Sequence, residues 1–250
     1  MGSKTKIKWW DSTWNPIVRS SNGRAHFISS RKLEQPLHWK KPRRIFVCSV
    51  IDHLFHPSIM NEQIAAVFAV CALCPQHTFL ILTKWVYRAI KWCKWSVNYF
   101  EGMNTIAKSG VLSEYIEKII TERWLKTNAG AHYQKPFPDN VWFGVSVEDQ
   151  KTADERIPLL YNIQATKRFV SFEPLLGPVK RKITSPHSTQ WYPDWIIVGA
   201  ETGPHKRPMN IDWARSIRDQ YIELNVPFFF NKDSFGQHEL DGQIWEQFPK

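Results

Sequence analysis

Val141-Trp-Phe-Gly-Val-Ser-Val147 runs straight into Glu148 and Asp149. The run is apolar, rich in β-branched and aromatic residues, and only as long as one buried strand, so it reads as a strand that stops on a carboxylate. Two later segments repeat the arrangement: Arg168-Phe-Val-Ser-Phe172 meets Glu173-Pro174, and Trp195-Ile-Ile-Val-Gly-Ala200 meets Glu201-Thr-Gly-Pro204. Parallel sheets with helical crossovers gather the carboxyl ends of their strands at one rim, where sites form. Glu148, Glu173 and Glu201 are therefore candidate catalytic residues on a shared rim. The competing reading is that each carboxylate caps the helix after it.

Working outward, strands and helices alternate. Strands are expected at Lys6–Trp10, Arg44–Val50, Thr78–Leu82 and 227–231 besides the three above. Helices are expected over Asn61–Leu73, with Asn61 or Ser58 as N-cap and Pro75 past its end, and over 85–98, 151–162 and 211–225. Leu112, Tyr115, Ile116, Ile119 and Ile120 recur at helical spacing, which marks a helical insertion within 101–135. Lys180–Pro193 reads as a loop. The alternation implies an α/β fold: an incomplete, mostly parallel (β/α) barrel of six or seven strands, spanning 1–250 as one domain.

The wording of these segments carries a resemblance. Val145-Ser-Val-Glu-Asp-Gln150, Ala153-Asp-Glu-Arg-Ile-Pro158, Phe169-Val-Ser-Phe-Glu-Pro-Leu-Leu-Gly-Pro178, Ile197-Val-Gly-Ala-Glu-Thr-Gly-Pro204 and Arg207-Pro-Met209 occur in order. With Trp14-Asn-Pro16, Leu33-Glu-Gln-Pro36, Leu82-Thr-Lys84 and Val226-Pro-Phe-Phe-Phe230, they resemble a widespread phage and prophage family, often labelled the gene-product thirty-seven/sixty-eight family. That family looks like a distant relative of radical S-adenosylmethionine enzymes, which implies a partial barrel and a phage or prophage origin. Its molecular function is largely uncharacterised.

One departure changes the expected chemistry. Relatives usually follow Trp-Asn-Pro with a cysteine-rich loop whose thiols look like ligands of a [4Fe–4S] cluster. Here Trp14-Asn-Pro16 leads through Ile17–Phe27 to Leu33-Glu-Gln-Pro36, and no cysteine precedes Cys48. Clusters of this kind are held by thiolates. Reductive cleavage of S-adenosylmethionine draws its electron from the cluster, since the hard chemistry belongs to the cofactor. The iron–sulfur cluster is not expected; binding of S-adenosylmethionine or of a divalent metal remains compatible with the sequence.

Charge is placed unevenly. Residues 1–100 hold 15 Lys and Arg against 4 Asp and Glu, whereas residues 101–250 hold 18 against 19. Such asymmetry points to a polyanion, DNA or RNA, as partner. Trp39, Lys40 and Lys41, within His38-Trp-Lys-Lys-Pro-Arg-Arg44, are candidate nucleic-acid contacts, because stacking beside phosphate contacts is how single strands are held. Arg43 and Arg44 abut the predicted strand and are candidates to pair with the rim carboxylates. The bland alternative is a solvated loop ahead of a strand. Lys84-Trp-Val-Tyr-Arg-Ala-Ile-Lys-Trp-Cys-Lys-Trp95 is a second basic and aromatic stretch, which amphipathic helix packing alone would explain.

Composition bounds the class. The 13 Trp, 7 Tyr and 15 Phe supply a sizeable core. No apolar run reaches the roughly 18 residues of a membrane span, and Met1–Lys8 has no following apolar segment, so a cytoplasmic protein is expected. Four cysteines do not make a disulfide scaffold. Cys71-Ala-Leu-Cys74 lacks a second ligand pair and sits in an apolar run, which favours buried packing. Phosphate-binding Gly loops and a nucleophile elbow are absent from the sequence.

The remaining candidates follow from position. Asp52, His53 and His56 come after a predicted strand and suit a divalent metal. Lys84 and Lys232 each follow a strand; Lys84 joins the catalytic candidates, and Lys232, Thr83, Ser146 and Asp149 the substrate-binding ones. Three functions fit: a cluster-less radical-enzyme relative with a nucleotide- or nucleic-acid-facing rim, a metal-dependent hydrolase, or a nucleic-acid-binding accessory protein.

Overall fold

The computed structural model describes residues 10–19, 25–27, 30–48, 54–98, 136–181 and 191–250. The predicted insertion at 101–135 lies outside the described residues, as do Asp52, His53, most of the predicted first strand and most of the Lys180–Pro193 loop. Trp10, the one described residue of that predicted first strand, is not in a strand.

The chain opens with β1 (Ser12–Trp14), the antiparallel pair β2 (Ile17–Arg19) and β3 (Ala25–Phe27), and the short helix α1 (Ser30–Leu33). Then follow β4 (Arg44–Val47), α2 (Asn61–Leu73), β5 (Thr78–Thr83), α3 (Val86–Asn98) and β6 (Val141–Ser146). After these come α4 (Gln150–Tyr161), β7 (Lys167–Phe172), β8 (Trp195–Val198), α5 (Ile211–Ile222) and β9 (Phe228–Phe230). One seven-stranded sheet has the order β1-β4-β5-β6-β7-β8-β9. The pairs β1/β4, β4/β5, β7/β8 and β8/β9 are parallel. A doubly wound sheet reverses its order at a switch point; this one never does. Sequential parallel strands are the order of a (β/α) barrel, and seven leave it incomplete. The fold class is the expected one, and the first described strand is β1 at Ser12–Trp14.

The described residues fall into two compact units, Trp10–Phe143 with Asn162–Thr166, and Gly144–Tyr161 with Lys167–Lys250. In the first, α2 is apolar nearly throughout and buries Ile64, Ala66, Val67, Phe68, Ala69, Val70 and Cys71. Its N-cap is Met60, between the two expected candidates Ser58 and Asn61: the Met60 N–H donates to Gln63 Oε1 at 3.0 Å. Asn61 has a different task, accepting from Arg88 Nη2 at 2.6 Å. The last carbonyls of a helix lack intrahelical partners. Here Asn140 Nδ2 donates to the carbonyls of Cys71 and Cys74, both at 2.9 Å, and of His77 at 3.0 Å. Phe55, Phe68, Trp92, Phe137 and Phe143 form one aromatic cluster, with centroids 4.9–6.4 Å apart.

In the second unit, Gly144 lies where a Cβ would come within 2.4 Å of the Phe169 ring, so a strand glycine makes room for a core aromatic. Asn210 caps α5, its side chain accepting from Asp212 N at 2.9 Å. Past β9 lies a hairpin, β10 (Glu239–Leu240) with β11 (Gln243–Ile244). Its two turn residues, Asp241 and Gly242, have φ of 57° and 73°, the left-handed pair that a tight hairpin demands. The chain then runs antiparallel along β9: Phe230 N donates to Trp245 O at 2.9 Å, Gln247 N to Phe228 O at 3.1 Å, and Phe229 bridges Glu246. Trp195 Nε1 fixes this segment by donating to Gln247 O at 2.8 Å. An unpaired sheet edge invites intermolecular pairing; β9 is covered.

Candidate functional site: an acidic rim after β6, β7 and β8

All three rim glutamates belong to the second unit, and each leaves the carboxyl end of its strand. Backbone bonds draw these ends together. Leu176 N donates to Glu148 O at 2.7 Å, Leu175 N to Gly199 O at 3.0 Å, and Val147 N to Ser171 O at 2.9 Å. The turn after Glu173 is thereby laced to the ends of β6 and β8.

Each carboxylate is held differently. Glu148 Oε2 lies 2.9 Å from Arg156 Nη1, and the same nitrogen donates to Ser146 O at 2.7 Å. Both side chains of the pair are largely buried, at 12% and 15% exposure. Glu173 follows a strand whose Ser171 is fully buried. Its Oε2 accepts from Ser171 Oγ at 3.1 Å and its Oε1 from Asn231 Nδ2 at 2.6 Å. The Glu173–Pro174 peptide is cis. Beneath it Gly199 leaves the space open, since a Cβ there would stand 2.5 Å from Glu173 Oε1. Glu201 takes a bidentate guanidinium: Arg207 Nη2 at 2.6 Å and Nε at 2.9 Å, with the Arg207 N–H at 2.7 Å. Those hydrogen bonds push the Glu201 carboxyl down to about 2. Arg207 is held in its charged form by Glu201 first and also by the charge of Glu148, so its guanidinium senses two of the three glutamates.

The other predicted rim residues sort by role. Asp149 caps α4: its Oδ1 accepts from Thr152 N at 2.8 Å, and Thr152 Oγ1 accepts from Glu148 N at 2.9 Å and Asp149 N at 3.0 Å. Bonding to Thr152 holds the Asp149 carboxyl below its usual range. For Asp149 the capping alternative is realised. Ser146 is buried within β6. Lys232 presents its carbonyl to Ala200 N at 2.9 Å, and its side chain is half-buried. Arg156, Arg207, Ser171 and Asn231 complete the rim without having been sequence candidates. Their signals are faint: Arg156 recurs two helical turns after Glu148, and Asn231 directly follows the Phe228–Phe230 run.

Thr83 and Lys84 lie in the first unit. Thr83 Oγ1 accepts from Trp85 N at 3.0 Å, starting α3, and Lys84 is exposed. Trp39, Lys40 and Lys41 lead into the start of β4, whereas Thr83 and Lys84 leave the end of β5, its parallel neighbour. The two groups therefore occupy opposite ends of that pair and do not form one site. The Trp39 ring is engaged, with the Arg43 guanidinium 5.0 Å above it and His77 edge-on at 6.1 Å. Lys40 and Lys41 are exposed. The expected pairing of Arg43 and Arg44 with rim carboxylates is corrected: Arg43 donates to Ser12 Oγ at 2.9 Å, and Arg44 pairs with Asp11 at 3.5 Å. Both belong to the amino end of the strands.

His56 Nδ1 is bonded locally, to Ser58 Oγ at 2.8 Å and Ser58 N at 3.2 Å. Among the described residues no group of three His, Cys, Asp or Glu side chains is gathered for a metal ion. Cys48, Cys71 and Cys74 are buried; burial pushes the Cys71 thiol well up and that of Cys74 to about 12.

Residues 19–249, from β2 through the covered edge of β9, match the family described as Protein of unknown function (DUF5131). The chain belongs to that family. The whole Glu148–Glu173–Glu201 rim lies within the span shared with DUF5131. No curated protein and no solved structure matches the chain. Among the described residues no helix is long and apolar enough to cross a membrane.

Proposed function

We propose that this DUF5131 chain is a phage- or prophage-encoded relative of the radical S-adenosylmethionine enzymes that works without an iron–sulfur cluster and binds a nucleotide, or a nucleic-acid end, at the rim after β6, β7 and β8. The observation that carries the reading is Glu173. Its carboxylate is positioned from both sides by Ser171 and Asn231 over a glycine, a degree of preorganisation that a mere surface charge does not need. A fixed carboxylate accepts from ribose hydroxyls or from the amino group of a base. Arg207, more exposed than its partner Glu201, is the planar fork suited to a phosphate. Absence of any thiol before Cys48, together with burial of Cys71 and Cys74, supports binding in place of radical chemistry.

A ligand that binds only the folded state raises its melting temperature. Thermal scans with mononucleotides, S-adenosylmethionine and short oligonucleotides, followed by titration calorimetry, are the test. Glu173→Gln, nearly isosteric, should weaken the bound ligand about tenfold or more, since a charged acceptor is worth roughly 1.5–3 kcal/mol. It should also lower the melting temperature of the unliganded protein through the weakened bonds to Ser171 and Asn231, so affinity is measured on the folded variant. If none of these ligands shifts the melting temperature of the parent protein, the nucleotide reading is lost.

A further inference from the structure

The first unit carries a second surface, independent of the rim. Between Glu62 and Glu101 the sequence holds no Asp or Glu at all, yet it contains Lys84, Arg88, Lys91 and Lys94. Helix α3 sorts this stretch by face. Val86, Ala89 and Trp92 are buried, and Trp92 Nε1 donates to Asn61 O at 3.1 Å. Arg88 is drawn the same way, donating to Asn61 Oδ1 and to Ile59 O. On the opposite face Tyr87, Lys91 and Lys94 are all exposed and recur at spacings of four and three, with Lys84 three residues ahead of Tyr87. Tyr87 is 64% exposed and Trp85 42%, and Lys91 Nζ lies 4.7 Å from the Tyr87 ring.

A solvated helix face ordinarily mixes both signs of charge. This one has lysines at 84, 91 and 94 around the exposed Tyr87, and no carboxylate of its own; Trp85, 42% exposed, lies beside the row with its ring edge-on to His56 at 5.7 Å. We infer that the outer face of α3, with Tyr87, Lys91 and Lys94 and the preceding Lys84, is a docking surface for single-stranded nucleic acid. The lysines meet successive phosphates and the Tyr87 ring stacks on an unpaired base. Duplex presents no open base face to Tyr87, so a single strand is the better complement. The Trp39 segment fits less well, because Trp39 is half-buried between Arg43 and His77 whereas Tyr87 is exposed.

The test uses the full chain and a short fluorescein-labelled oligothymidylate, with affinity measured by anisotropy over a range of salt. Lys91→Gln with Lys94→Gln should lower the slope of log affinity against log salt by about 1.4, at about 0.7 for each phosphate no longer neutralised. Tyr87→Ala should weaken binding about tenfold, Tyr87→Phe should restore it, and Lys40→Ala with Lys41→Ala should have the smaller effect. All of these positions are exposed, and circular dichroism checks that each variant folds. The proposal is overturned if the Lys91/Lys94 variant keeps the parent's affinity and slope. It is equally overturned if Tyr87→Ala is silent, or if mixed phosphatidylglycerol–phosphatidylcholine vesicles or polyglutamate bind and the oligonucleotide does not.

Discussion

The Asn231 amide reaches across 58 positions of chain to donate to Glu173 Oε1 at 2.6 Å, and the backbone of Gly199 passes beneath with no side chain to separate them. A Cβ on residue 199 would also stand 3.2 Å from Asn231 Cβ. Gly199→Ala must therefore displace the carboxylate, the amide or both. We expect a loss of about 1–3 kcal/mol, the usual cost of overpacking. For a chain of this size that is roughly 2–4 °C of melting temperature per kcal/mol. Differential scanning calorimetry measures it, and ligand affinity at the rim should fall with it. An unaltered melting temperature would mean that the rim is loosely held.

Arg156 serves two acceptors, the Ser146 carbonyl and the Glu148 carboxylate, in a largely buried position. Removing one partner of such a pair is costly, because the remaining charge keeps its desolvation penalty. Arg156→Met should cost about 3 kcal/mol in urea unfolding. The double change Arg156→Met with Glu148→Gln should recover part of that loss, since no buried charge then lacks its counterion.

Glu201 gives a pH signature. Its carboxyl is lowered from 4.5 to about 2 by Arg207. The folded state thus favours the ionised form, so the pair's contribution is fully present above the ordinary carboxylate range. It is lost as pH falls from about 4.5 toward about 2. NMR titration of the Glu201 side chain should place its midpoint well below that of an exposed glutamate. Arg207→Gln should return it to the usual range. A Glu201 that titrates normally in the parent protein would show that the bidentate pair does not persist in solution.

The buried thiols make a chemical prediction. Cys71 and Cys74 are fully buried, with thiols pushed up, so iodoacetamide at neutral pH should leave both unmodified in the native protein and label both after unfolding. Anaerobic treatment with iron and sulfide should leave the protein colourless. A stoichiometric cluster spectrum that vanishes with Cys71→Ser and Cys74→Ser would revive a radical mechanism.

How far the sequence speaks depends on the range of the interaction. The strands before Glu148, Glu173 and Glu201 are legible because each is a short apolar run closed by a turn residue, which is local information. The partners of those glutamates are not: Glu173 pairs with Asn231, and the periodicity of neither segment encodes the other. Turn chemistry is a local signal that strand periodicity alone passes over. Asn22-Gly23 lies between β2 and β3, and Asp241-Gly242 joins β10 to β11, both dipeptides that favour hairpins. The N-cap of α2 departs from expectation because Asn61 is a good capping residue by type, but tertiary contact with Arg88 claims its side chain.

The antiparallel segment along β9 also bears on how this fold could change. A barrel closes by laying a further parallel strand beside its last one, and that position is taken by residues 245–247, running the opposite way. An eighth strand–helix unit appended after β9 would have to evict a segment anchored through the Trp195 indole. Growth by duplication is thus blocked at this end, and new length enters at lower cost through the loops between existing elements.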